Sequence, residues 1–303
     1  VGLLAIKATP SFRASTSLGR KLALMAMVLG PFVAVIWLLP HLSIFARILC
    51  TAIGITPLAL YGIETEDTPK FKDHFRFLLM VVIYSGFWVL YFQMFDSVLW
   101  YVQAYVDAGS LNSAINGAAG AVGLDLKWRF DIEHVTVINA GTIILLQLII
   151  SRVVQNTRAL PTMIVGITMG TIGMAVLAIS TGIWVLILGI VLFSVGEMTA
   201  HPKFISYVGQ TAPKSRVAMY MGYLFLYGVI GASIGGVLGA NLYVEYVDQR
   251  NEPRTLWLIF ASIGVATILG LLLYNRFFGK KGIAGGADGD AGDAKSGNDE
   301  NGE

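Results

Sequence analysis

Eight unbroken apolar runs, near 22–39, 42–63, 77–106, 135–154, 160–180, 183–209, 217–245 and 255–278, constrain this chain more than any motif in it. A helix rising 1.5 Å per residue crosses a hydrocarbon core of about 30 Å in about twenty residues, so each run is long enough to span a bilayer. Inside lipid every backbone N–H and C=O must find its partner within the protein, which leaves helices or a closed barrel. Barrel strands would be segments of about ten residues alternating apolar with polar. The runs here are continuous, so the expected fold is all-α with eight transmembrane helices. The composition agrees: 55% of residues are apolar and 13% charged, against about a quarter charged in soluble chains.

The polar stretches divide the chain. Residues 1–21 read as a basic loop after the tail of an earlier hydrophobic segment, and the chain reads as a fragment, since no methionine or signal-peptide pattern opens the sequence. The first two spans, 22–63, are joined only by Pro40-His41 and form a tight hairpin; 64–76 is a charged linker, and 77–278 holds six further helices. The stretch 107–134 is rich in Gly, Ala and Asn and turns amphipathic at Trp128-Arg129-Phe130, either an interfacial segment or an ordinary polar loop. Gly228, Gly231, Gly235 and Gly239 fall on one face of the seventh span, a device for close helix packing. Residues 279–303, with six acidic residues and no aromatic, read as a disordered acidic tail.

Orientation follows from Lys and Arg. With residue 1 inside, the inner loops hold 16 of the 21: Lys7, Arg13, Arg20, Lys21, Lys70, Lys72, Arg76, Arg152, Arg158, Lys203, Lys214, Arg216, Arg276, Lys280, Lys281 and Lys295. The outer loops hold Lys127, Arg129, Arg250 and Arg254, and Arg47 lies within the second span, where it reads as a snorkelling side chain. The positive-inside rule then places both ends in the cytoplasm of a multi-pass plasma-membrane protein.

The net charge of +2 and the scatter of basic residues exclude a nucleic-acid partner. The single cysteine, Cys50, permits no disulfide framework or thiolate metal site within the chain. No HExxH, GxSxG, Walker or GxGxxG pattern is present, so neither an enzyme nor a cofactor is expected. What remains is charge at membrane depth, which is costly and therefore a functional candidate. Glu197 lies about fourteen residues, roughly 21 Å, from the outer end of its span. Asp96 sits nearer the outer side after the aromatic run from Phe87 to Phe95. His201, four residues after Glu197, either tunes it from the same helical face or faces water at the inner rim. Asn139 and Gln147 either line a cavity or join helices.

These residues resemble a family. Gly196-Glu197-x-x-x-x-Pro202, then Ser206, Ala212-Pro213, Met221-Gly222 and Phe225-Leu226, are similar to the tenth and eleventh helices of the proton-dependent oligopeptide transporters, a branch of the major facilitator superfamily. Phe87-Trp88 with Gln93, and Ile138-Asn139, resemble its seventh and eighth helices. Members from bacteria insert two extra helices between six-helix halves, where the 22–63 hairpin stands. The resemblance implies a linker hairpin plus a C-terminal six-helix bundle, with Glu197, Asp96, Gln93, Asn139, Trp88 and His201 as substrate or proton-coupling residues. Three positions depart: the family's seventh-helix glutamate falls on Phe92, its eleventh-helix tryptophan on Leu224, and the serine before the tenth-helix proline on His201. The seventh-helix acid is thus lost or displaced one turn to Asp96.

The expected function is secondary, proton-coupled transport of peptides or other small polar solutes. The partners are protons, the substrate, the bilayer and a missing N-terminal half. The alternative is a transporter-derived sensor or scaffold that no longer transports, motivated by the missing seventh-helix acid.

Overall fold

The computed structural model describes residues 71–212 and 217–278, together with Trp37, Ser43 and Arg47. The described chain is helical: α1 Phe71–Gln93, α2 Ser97–Tyr105, α3 Gly109–Ala121, α4 Glu133–Val154, α5 Ala159–Val176, α6 Ile183–Thr211, α7 Val217–Tyr223, α8 Leu226–Leu242, a π-helix Tyr243–Gln249, and α9 Pro253–Phe278. No strand occurs among the described residues; the one extended pairing is an isolated bridge between Asp107 and Gly182. Six helical segments are long and apolar enough to cross a membrane: Arg76–Tyr105, Glu133–Val154, Ala159–Val176, Ile183–Thr211, Tyr220–Gln249 and Pro253–Phe278. They match the last six expected spans to within a few residues. The 22–63 hairpin and the 279–303 tail lie outside the described residues, apart from the three single positions, where Arg47 stands 5.9 Å from the Trp37 ring centroid.

Two spans are broken. Met94–Asp96 form a turn between α1 and α2, and Leu224–Phe225 interrupt α7 and α8. Neighbours in space run α4, α6, α5, α9, α1, α8, and the centre is filled by aromatic and aliphatic side chains such as Tyr84, Phe87, Phe193, Trp257, Leu90 and Ile167. The tightest joint is α5 against α6. A Cβ on Gly196 would stand 2.5 Å from Gly166 O, and one on Gly173 would stand 2.7 Å from Gly189 O, so both pairs require glycine for the backbones to meet.

The expected glycine face on α8 holds in part: side chains at Gly231 and Gly239 would collide with Trp88 and Gln93 of α1 and one at Gly235 would crowd Val89, whereas Gly228 faces open space. The segment 107–132 is more ordered than an amphipathic loop. Its helix is α3, with no buried residue, and the return stretch is clasped to it by Asn116, whose side chain bonds both Trp128 N and Trp128 O at 2.9 Å. Asn112 adds a bond to Phe130 N at 2.8 Å. Trp128 and Phe130 turn back onto His134, with ring centroids 5.0 and 5.5 Å away.

Candidate functional site

Glu197 stands midway along α6, and α4 and α1 bring polar and aromatic groups to it. From α4 the Asn139 amide lies beside the carboxylate and donates from Nδ2 to Ser194 Oγ at 2.8 Å. Ser194 Oγ in turn donates to Ile190 O. From α1, Tyr84 and Tyr91 come to the same region. Glu197 Oε2 is buried and makes no hydrogen bond. A buried carboxylate oxygen without a donor is expensive to keep, and a proton or a ligand donor would satisfy it.

A ring cluster flanks this group. Trp88 sits with its ring centroid 4.6 Å from Tyr227, 4.5 Å from Tyr91 and 5.4 Å from His201. Tyr84 stacks on Phe204 at 4.0 Å and its Oη lies 3.4 Å from His201 Nδ1. His201 is thus engaged by α1 and α8, not by Glu197 on its own helix. The Trp88 indole nitrogen is buried beside Tyr84 and closes no hydrogen bond.

The other sequence candidates lie elsewhere. Gln93 is fully buried where α1 meets α8. Its Nε2 donates to Val89 O at 3.1 Å and Gly235 O at 3.0 Å, and its Oε1 accepts from Ser97 Oγ at 2.6 Å. Both polar atoms of that amide are bonded inside the protein, and the bond to Gly235 O joins α1 to α8. Asp96 flanks the α1–α2 break and helps line a separate cavity of about 450 Å³, walled also by Trp100, Gln103, Gly239, Tyr243 and Asp248. Glu197, Asn139 and His201 are not among its walls. Gln147 faces outward from α4. Among the described residues no three His, Cys, Asp or Glu side chains gather to hold a metal.

Sequence reasoning missed Ser194, Tyr84 and Tyr227. Ser194 precedes Glu197 by three residues and shares its helical face, a readable signal; the tyrosines come from other helices and carry none. Lys203, counted above with an inner loop, is a residue of α6 only 7% exposed.

Comparison with known proteins agrees with this architecture. The family model of the Major Facilitator Superfamily matches residues 99–292. "Multidrug resistance protein MdtH" of Aeromonas salmonicida (strain A449) is 24% identical over 208 residues, 69% of this chain and 47% of that protein. Among solved structures, the POT family transporter PepTSo is similar with a TM-score of 0.62 and 17% identity, over 92% of this chain and 58% of that one. A peptide transporter POT in complex with sulfate gives 0.60 and 16%, over 88% and 55%. A POT family transporter in complex with a thioalcohol conjugated peptide gives 0.56 and 19%, over the same shares, 88% and 55%. The chain spans about half the length of these relatives. The chain belongs to the Major Facilitator Superfamily.

Proposed function

We propose that the full-length protein is a proton-coupled secondary transporter of peptides or other small polar solutes, lying in the plasma membrane with both ends of this chain in the cytoplasm. This chain supplies a linker hairpin and the C-terminal half, and the substrate cavity forms at mid-membrane against the other half. The observation that carries the reading is Glu197: a carboxylate at mid-span, with one buried oxygen lacking a donor and an amide from a second helix beside it. Proton binding there, if it favours one of two alternating conformations that also differ in solute affinity, couples the two fluxes. Similarity to proteins named as peptide transporters supports the peptide class. Trp88, Asn139 and His201 line the same region and are proposed to contact the solute, and Asp96 is proposed as a gate partner at the outer mouth for a cation.

The test is uptake by the full-length protein in proteoliposomes under an imposed pH gradient, screened across peptides, amino acids and organic acids. Glu197→Gln is expected to abolish gradient-driven accumulation while leaving solute exchange intact. Accumulation at the wild-type level by that variant would refute the assignment.

A further inference from the structure

Lys203 is a buried cation outside the site just described. It lies on α6 six residues beyond Glu197, is 7% exposed, and follows Pro202, which interrupts the helix ladder because proline has no N–H. An ammonium removed from water needs compensation, and no carboxylate pairs with it among the described residues. Its Nζ instead donates to Thr157 O at 2.9 Å and Gln155 O at 3.4 Å. Gln155 is the C-cap of α4. The end of a helix carries unpaired carbonyls and partial negative charge; Lys203 therefore caps α4 from a different helix.

The cap matters because α4 has little else to hold it. Of the six spans it is the least buried, with 11% of its apolar window inside, and Ile144, Leu145, Leu148, Ile149 and Val153 all point outward. Two polar joints fasten it to α6: Asn139 to Ser194 on one side of Glu197, and the Lys203 cap on the other. Glycine contacts lock α6 to α5, so α6 is the fixed member of the pair. We infer that Lys203 is a positioning residue: it pins the inner end of α4 to α6 and thereby keeps Asn139 bonded to Ser194, beside Glu197. The link to Asn139 and Glu197 rests on the proposed coupling role; the pinning of α4 does not.

The experiment uses the full-length protein in lipid, with Cys50 replaced by serine and spin labels on Arg152→Cys of α4 and Gln210→Cys of α6, both exposed positions. A second label pair at Glu133→Cys and Thr181→Cys reports the opposite ends. Electron–electron double resonance is expected to show one narrow inner distance in the wild type. In Lys203→Met a second, longer distance should gain roughly 5- to 30-fold in population, the equivalent of about 1–2 kcal/mol of cation-to-helix-end interaction. The outer pair should stay unchanged and Lys203→Arg should restore the single distance. Lys203→Gln is a second uncharged variant should the methionine form fail to insert. An unchanged inner distance in an uncharged variant overturns the pinning.

Positioning is read separately by infrared difference spectra during pH titration, using the carboxylic acid band that Glu197→Gln removes. The groups beside that carboxyl are Asn139, Tyr84 and Tyr91; Ser194 stands behind the Asn139 amide and His201 is held by Tyr84. The band is expected to shift in Lys203→Met and return in Lys203→Arg. A fixed band with a splayed α4 overturns the positioning role alone. Absence of any Glu197 band counts against proton coupling instead, and leaves the distance measurement to decide the pinning.

Discussion

Replacing Gly196 by alanine adds one methyl group where α5 and α6 have no room for it. An ideal Cβ at 196 stands 2.5 Å from Gly166 O, 2.6 Å from Gly170 N and 3.0 Å from Gly170 Cα, whereas ordinary contacts lie at 3.4–4 Å. All three obstacles are backbone, so no rotamer change relieves them and the two helices must part by about 1 Å. Overpacking of that kind costs about 1–3 kcal/mol. The same change at Gly236 meets nothing within 4 Å, and a compatible glycine-to-alanine exchange stabilises by about 0.4–1 kcal/mol through the unfolded chain. The two variants should therefore move in opposite directions. With about 2–4 °C per kcal/mol for a chain of this general size, Gly196→Ala is expected to lower the apparent Tm of the full-length protein in detergent by about 2–12 °C. Gly236→Ala should raise it by about 1–4 °C. The comparison is made at one scan rate, by circular dichroism or by the reactivity of Cys50. A Gly196→Ala variant that melts with or above the wild type would refute the claim that backbone contact sets the α5–α6 spacing.

Ser97→Ala should cost about 1–3 kcal/mol in the same melt, because Gln93 Oε1 loses its hydroxyl donor in a fully buried setting; a change within error would mean water or a neighbour replaces it. Asp96→Asn, in the proteoliposome assay, is expected to slow accumulation and exchange together without separating them, since its cavity is distinct from the Glu197 region. Uncoupling by Asp96→Asn alone would reverse the assigned roles of the two acids.

The spans were legible because length and continuity of apolar residues are imposed by the bilayer, and six of them reappear within a few residues. The breaks were not: Met94-Phe95-Asp96 and Leu224-Phe225 contain neither proline nor glycine, so nothing local announces that the ladder stops there. At the site, Glu197 and Asn139 stood out because polar atoms at membrane depth are rare. Their partners did not, for contact across helices depends on rotation and tilt that one-dimensional spacing leaves open. His201 illustrates this. Four residues from Glu197 it shares a face, yet Tyr84, Trp88 and Tyr227 take the ring. Gln93, named through the resemblance, is a second case: its amide bonds Val89, Gly235 and Ser97, partners that spacing alone does not disclose. Lys203 was counted with the inner charges although the expected span 183–209 already contained it; the helix runs to Thr211 and buries it.

The asparagine clasps on the 107–132 segment decide where foreign sequence can be placed in this protein. Asn112 and Asn116 fasten the return stretch at Trp128 and Phe130, and the chain between them turns at Gly123, whose φ of 79° suits glycine. Val122, Leu124 and Leu126 beside that turn are 73%, 62% and 46% exposed. An epitope spliced between Leu124 and Leu126 would leave on the far side of both fastenings, as a balloon on a knotted string, and α4 would keep its entry point. The same insert between Asn112 and Asn116 would pull the knot apart. Antibody access to the first insert on intact cells would then report the sidedness of the whole bundle without disturbing the helices that carry Glu197.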